Sequence, residues 1–111
     1  MAKFMVFYVS KTPASERMAN TSPEEMQASM AEWIKWRDET SKAIKVEFGM
    51  PLQVVNSVTA DGVGEGHTPV SGYSILDGDK GAILEALKDH PHLKTPGSAI
   101  ELLEFLPMPG M

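Results

Sequence analysis

The stretch from Asp61 to Tyr73, DGVGEGHTPVSGY, holds the residues best suited to acid–base chemistry. Near pH 7 a neutral imidazole accepts a proton or binds a metal ion, which makes His67 a candidate general base. Asp61, across a hairpin, would orient the ring, and the Tyr73 hydroxyl would polarise a substrate or hydrogen-bond a ligand. The alternative is that His67 is an exposed histidine in a surface loop.

Three glycines of the same stretch, Gly62, Gly64 and Gly66, are spaced like the start of a dinucleotide-binding fingerprint. That fingerprint needs a strand before it and a helix directly after it, so that the helix N-terminus meets the pyrophosphate. Here a strand is predicted to follow, and Glu65 would repel a phosphate. A hairpin explains the glycines better, because they supply the positive φ angles that tight turns demand. We therefore predict a turn and no bound cofactor.

Two further histidines, His90 and His92, flank Pro91 in an H-x-H pattern. No third ligand is evident nearby, and zinc sites need three or four ligands. A proline ends a helix, and a histidine at a helix C-terminus suits the negative pole of the dipole. We therefore predict a helix end and no metal site.

Trp33 and Trp36 are neighbours on the surface of a predicted helix, because residues three apart face the same side. Trp33 continues the apolar stripe of Met26, Met30 and Ile34, so we expect it in the core. Trp36 is expected at the periphery, where it would cover an edge or line a pocket together with Tyr73. The chain has 8 methionines, which suit an adaptable apolar lining, although core filling is their usual role.

The apolar pattern predicts four strands, identified by period-two alternation or by β-branched residues. They cover residues 3–9, 52–60, 70–76 and 98–106. Residues 10–22 are polar and contain Pro13, which indicates a loop.

Two helices are predicted between these strands. The first has a strong start, because Ser22 is a good N-cap, Pro23 occupies the first helical position and Glu25 completes a capping box. It is expected to run to about Ile44. The second is expected from about Asp79 to Asp89.

The order β-α-β-β-α-β is that of the ferredoxin-like fold, an α+β fold with a four-stranded antiparallel sheet and both helices on one face. The first strand is apolar on both of its faces, and the last strand carries Leu103 and Phe105 opposite Ile100, Leu102 and Leu106. Helices cover only one face of such a sheet, so something else must cover the other. We predict a homodimer through the sheet face, in which a second copy covers it.

Composition excludes several classes of function. The chain has 111 residues, 42% of them hydrophobic and 23% charged, which is typical of one globular domain spanning residues 1–111. No apolar run is long enough to span a membrane. The net charge is −5 with the basic residues scattered, which argues against binding to nucleic acid. The absence of cysteine fits a reducing compartment, so we predict a cytoplasmic protein.

Two segments, SPEEMQASMAEW and SGYSILDGDKGAILEALKDHP, followed by a short final strand, resemble the YCII-related family, including its branch with a D-G-P-F-type motif. The positions that fit the family pattern are Gly72, Tyr73, Asp77, Ala86, Leu87, His90 and Pro91. The resemblance implies a dimeric α+β barrel of ferredoxin-like subunits. It implies little about function, although enzymatic activity through a histidine and an aspartate has been suspected for some members of that family.

The chain departs from that family at the motif itself. Asp61 and Gly62 occupy the place of the D-G pair, but Val63 stands where the family has proline, and no phenylalanine follows. No catalytic residue is therefore transferred from the family to this sequence.

Three functions remain open at this point. The first is the binding of a small, partly apolar molecule in a cavity next to the sheet. The second is a cofactor-independent enzyme of isomerase, lyase or monooxygenase type, with His67 as base, Asp61 as its orienting partner and Tyr73 polarising the substrate. The third is a structural or interaction domain. A pocket with a converging polar pair would favour the enzyme, and a pocket without one would favour the binding protein.

Overall fold

A four-stranded antiparallel sheet forms the centre of the computed structural model, which describes residues 2–110. In chain order the elements are β1 (Ala2–Val9), α1 (Ala14–Ala19), α2 (Pro23–Thr40), β2 (Lys45–Pro51), β3 (Asn56–Thr59), β4 (Gly62–Glu65), β5 (Val70–Gly78), α3 (Lys80–Lys88), a 3₁₀ turn (Pro91–Lys94) and β6 (Ala99–Glu104). The order of strands in the sheet is β2-β5-β1-β6. Strands β3 and β4 form a separate two-stranded sheet.

The core lies on one face of the sheet, where both long helices pack. Successive side chains of a strand point to opposite faces, so Phe4, Val6 and Tyr8 of β1 share the covered face. These three pack in one buried cluster with residues from α2, β5, α3 and the α2–β2 connection: Trp36, Leu76, Ile83, Leu87 and Ile44. The structure is therefore an α+β protein whose sheet and helices are compatible with a ferredoxin-like fold.

Both long helices begin where their caps predict. At α2 the Glu25 backbone N–H donates to the Ser22 hydroxyl at 3.1 Å, and the Glu25 carboxylate accepts from the Ser22 backbone N–H, which completes the capping box. At α3 the Asp79 carboxylate accepts from the Ala82 N–H at 3.1 Å. None of the helices in the described range is long and apolar enough to cross a membrane.

The predicted second strand was wrong. Residues 52–60 contribute only β3, whereas the strand that pairs with β5 is β2, which comes earlier in the chain. The first helix also ends at Thr40, before the predicted Ile44, and Ile44 is instead buried in the core. In the predicted loop of residues 10–22, the structure has the short helix α1 after Pro13.

The start of the glycine-rich stretch, residues 61–65, forms the second half of the β3–β4 hairpin. The turn is Ala60–Asp61, and Gly62 follows it with a φ of +129°, a conformation that side chains disfavour. A hairpin is present as predicted, but its turn precedes the three glycines: only Gly62 of the three has a positive φ, and Gly64 belongs to β4. All residues of both strands are exposed.

The second face of the sheet carries an apolar stripe that none of the helices within residues 2–110 covers. Met5 lies between Ile75 on β5 and Leu103 on β6, and Phe7 pairs with Tyr73 in the next outward-facing row. These side chains are half-buried, except Leu103, which is 43% exposed. The prediction that β1 is apolar on both faces is therefore matched by a largely uncovered apolar face.

Candidate ligand-binding site

A cavity of about 360 Å³ lies between the sheet and the N-terminal half of α2. Its floor includes Tyr8 and Ser74 from the centre of the sheet. One side is formed by α1, and another by the 3₁₀ turn that follows α3. Ligand pockets in proteins begin at about this size, roughly 300 Å³.

Methionine and aromatic side chains form the wall of the cavity: Met26, Met30 and Trp33 from α2 with Phe48 and Met50 from β2. The methionines of the helical stripe were expected to suit a core, but Met30 is 57% exposed because the first turns of α2 lie over open space. Helical spacing alone cannot distinguish a stripe that faces the core from one that faces a cavity.

Two hydroxyl groups meet at the floor of the cavity. Tyr8 Oη and Ser74 Oγ lie 2.8 Å apart in a hydrogen bond, and the Ser71 hydroxyl donates to the Tyr8 carbonyl at 3.1 Å. Burial raises the pKa of Tyr8 to about 12, against a smaller lowering by the bond to Ser74. The phenol therefore stays protonated at neutral pH and offers hydrogen bonds, not charge.

His90 is buried behind the cavity wall among aromatic rings. Its ring centroid lies 4.5 Å from Trp33, 4.4 Å from Trp36 and 4.9 Å from Tyr8. Nδ1 accepts a hydrogen bond from the His92 backbone N–H at 3.0 Å, so the ring caps the 3₁₀ turn. Nε2 has no hydrogen-bond partner among the described residues, and the surrounding rings accept an N–H donor only weakly.

This environment keeps His90 neutral. Burial, with a smaller contribution from His92, lowers the pKa of His90 to about 3. A cation would also need a proton on Nδ1, which would displace the His92 N–H from its acceptor. His90 is therefore a structural residue that supports the aromatic wall.

His92 lines the cavity itself. Its Nε2 lies 2.9 Å from the Val9 carbonyl, which requires the proton on Nε2 because a carbonyl only accepts. Burial lowers the pKa of His92 and the positive charge of Arg17 acts in the same direction, against the raising effect of the Val9 and Ala99 carbonyls. The imidazole is therefore held in one orientation as a neutral ring.

Arg17, on α1, brings a permanent positive charge to the cavity. It is half-buried, and Nη1 donates to the Ser10 hydroxyl at 3.2 Å. No carboxylate of the described residues forms an ion pair with it. The guanidinium therefore has donors left for a bound molecule.

The predicted catalytic residues do not converge. His67 is exposed in the loop after the hairpin, Asp61 is exposed in the hairpin turn, and neither lines the cavity. No hydrogen bond joins them in the described range; the Asp61 backbone N–H instead donates to the Thr59 hydroxyl at 3.2 Å. Only Tyr73 is among the cavity-lining residues, but its ring is directed to the opposite face of the sheet, where it lies against Gly49 and a Cβ would overlap it.

The two tryptophans have exchanged their expected places. Trp36 is 7% exposed in the core, and its indole N–H donates to the Ala86 carbonyl at 2.9 Å. Trp33 is half-buried and lines the cavity, whereas Trp36 lines a second, smaller pocket between α2 and α3. The face of α2 that carries Trp36 packs toward α3. Which face of α2 is buried therefore depends on α3 and could not be predicted from the α2 sequence alone.

Sequence reasoning did not identify Arg17, His92 or the Tyr8–Ser74 pair as cavity residues. Arg17 comes from a segment predicted as loop, and Tyr8 and Ser74 are distant in the chain. The sequence signal available for the histidines was the H-x-H pattern around Pro91, and the structure buries both of them. Within residues 2–110 no group of three or more His, Cys, Asp or Glu side chains is placed to hold a metal ion.

Fold and cavity together define a small α+β protein with a helix–sheet pocket. No protein-family model matches the sequence, and no curated protein matches it. The resemblance to the YCII-related family therefore stays a prediction.

Proposed function

We propose that this protein binds a small, mostly apolar molecule in the cavity between α2 and the sheet. The observation that carries the proposal is the cavity of about 360 Å³ whose wall is Met26, Met30, Trp33, Phe48 and Met50. An apolar helix stripe facing open space is unfavourable in water, and a ligand that fills the space would remove that cost. The neutral hydroxyl groups at the floor would orient the ligand by hydrogen bonds.

The binding proposal is tested with the neutral fluorescent probe N-phenyl-1-naphthylamine. We expect saturable binding, seen as enhanced probe emission and as a change in the fluorescence of Trp33. Met30→Gln keeps the length of the side chain but replaces part of the apolar wall with an amide. We expect it to weaken binding roughly fivefold, because about 1 kcal/mol of apolar contact is lost.

Ile34→Gln is the matched control for that variant. Ile34 lies on the same helix, is 37% exposed and does not line the cavity, so the probe affinity should not change. Absence of saturable binding up to the solubility limit of the probe would refute the proposal. Equal weakening by both variants would also refute it, because the effect would then come from α2 as a whole.

We further propose that two copies associate through the uncovered sheet face as a dimeric α+β barrel of ferredoxin-like subunits. The stripe of Met5, Phe7, Ile75 and Leu103 supports this, since a second copy offers the same apolar area. Charged residues of both signs edge the stripe, with Lys3 on β1 and Glu101 on β6, which allows a two-fold pairing of opposite charges.

An acid–base enzyme built on His67 and Asp61 receives no support from their positions, because both are exposed outside the cavity lining. Membership of the YCII-related family and a cytoplasmic location stay proposals. The first is supported by the segments SPEEMQASMAEW and SGYSILDGDKGAILEALKDHP, and the second by the absence of cysteine.

A further inference from the structure

The charges around the cavity are unusual for this chain. The net charge of the protein is −5, yet no Asp or Glu of the described residues lines the cavity. Among the lining residues within 2–110, Arg17 has the one permanently charged side chain. The remaining polar lining consists of neutral groups, among them the Tyr8, Ser71 and Ser74 hydroxyls and the His92 ring.

From this arrangement we propose that the ligand of the cavity is a small apolar acid, with a single carboxylate or similar anionic group, and that Arg17 binds this group. The inference rests on the proposed binding function and adds the chemical class of the ligand. The apolar part would lie against Trp33 and Met30, and the acidic group would lie at the α1 end.

Arg17 is placed to attract an anion more strongly than a fully solvated arginine on the surface would. The guanidinium presents five donors in a planar fork, which matches a carboxylate bidentately. One terminal nitrogen contacts Ser10, an uncharged partner, and this contact holds the side chain in place without neutralising it. Half-burial beside apolar side chains makes its attraction for an anion stronger than in water.

The overall negative charge does not cancel this local preference. At physiological ionic strength, exposed charges are screened beyond about 8 Å, so acidic residues on distant surfaces act weakly inside the cavity. His92 adds no negative charge and lies close enough for Arg17 to lower its pKa. Ligands with a positive charge would meet Arg17 with no carboxylate to offset it.

Three compounds of nearly equal shape test the inference: naphthalene-2-carboxylate, naphthalene-2-carboxamide and 2-naphthylmethylamine, which is cationic. Titration calorimetry at pH 7.5 and fixed salt should give about tenfold tighter binding of the carboxylate than of the amide. The amine should bind more weakly than the amide. Arg17→Gln should lower the affinity for the carboxylate to that for the amide, and Arg17→Lys should give an intermediate value.

Lys11→Gln is the control, because Lys11 follows Ser10, the hydrogen-bond partner of Arg17, and its replacement removes one positive charge without altering the cavity lining. It should leave the ratio of carboxylate to amide affinity unchanged. Thermal unfolding of each variant verifies folding, and the comparison of the three compounds on the unmodified protein does not depend on any variant.

The outcomes separate the two proposals. If carboxylate and amide bind with equal affinity, the cavity binds apolar ligands but the assignment to Arg17 is wrong. Tighter binding of the amine would overturn it as well. If none of the naphthalene compounds and no neutral probe binds, the proposed function itself fails.

Discussion

Histidine shows most clearly how position determines the role of a residue in this protein. His67, the one with the most suggestive sequence context, is exposed beside a projecting hairpin. His90, at an apparent helix end, is 2% exposed and packed against three aromatic rings. A buried neutral imidazole couples folding to pH, because the unfolded chain binds a proton more readily than the folded one.

We therefore expect the free energy of unfolding to fall as the pH is lowered below about 6.5, the ordinary pKa of histidine. In the folded state the pKa of His90 is about 3. Between pH 6.5 and pH 3 the histidine is therefore protonated in the unfolded chain but not in the folded one, and lowering the pH stabilises the unfolded chain. Each buried histidine contributes a slope of at most about 1.4 kcal/mol per pH unit. Urea unfolding between pH 7.5 and pH 5 measures it.

His90→Asn tests whether this residue causes the slope. An asparagine oxygen can still cap the 3₁₀ turn, so the variant loses packing at every pH but should lose most of the slope that His90 contributes. His67→Asn makes the same change at an exposed site and should leave the slope as it is. A slope unchanged in His90→Asn would show that His90 does not resist protonation in the fold.

At the scale of elements, local signals predicted the helices well and the second strand poorly. Caps are read from adjacent residues, and both long helices begin where Ser22 and Asp79 place them. The Val-rich residues 52–60 have higher β-propensity than 45–51, yet it is β2 that pairs with β5. Strand pairing depends on a partner distant in the chain, which local propensity does not contain.

The cavity was unpredictable for the same reason. The composition of α2 indicated an apolar stripe, but whether core or open space lies beneath it depends on how the sheet and α1 are placed. Tyr73 is among the lining residues although its ring faces the other side of the sheet, whereas the indole N–H of Trp36 is directed to the Ala86 carbonyl of a different helix.

Loss of the Ser22 cap and loss of the Asp79 cap should have different effects on the global free energy of unfolding. Ser22→Ala removes the cap of the part of α2 that covers the cavity, where residues 23–32 are all exposed. Asp79→Ala removes the cap of α3, which buries Ile83 and Leu87. A lost cap costs about 1 kcal/mol. We expect Asp79→Ala to lower the global free energy of unfolding by that amount, and Ser22→Ala to lower it by less.

Amide hydrogen exchange distinguishes the two cases, because local opening exposes amides without global unfolding. Ser22→Ala should speed exchange in the first turns of α2 and weaken ligand binding, with little change at Leu76 in the core. Equal losses of global stability in both variants would contradict this, since the first half of α2 would then unfold together with the core.

At the scale of the whole molecule, the two faces of the sheet differ in how far they are covered. One face packs the helices and carries the cavity, and the other leaves the apolar stripe around Met5 and Phe7 half-exposed. Antiparallel sheets often have one solvated face, but apolar and polar side chains then alternate along each strand, with the polar ones on the solvated face. Here β1 is apolar on both faces, and the exposure of the outer face to water is unfavourable unless a second surface packs on it.

Light scattering after size-exclusion chromatography tests this association at micromolar concentration. We expect a mass of about 24 kDa, twice the 12.1 kDa of the chain. Leu103→Glu buries a charge in the proposed contact and should give the monomer mass, because an unpaired buried charge is costly. Leu84→Glu is the control: Leu84 is 42% exposed on α3, Leu103 is 43% exposed on β6, and only the latter is in the stripe. An unmodified protein that elutes as a monomer would refute the barrel, and dissociation by Leu84→Glu would place the interface on the helices.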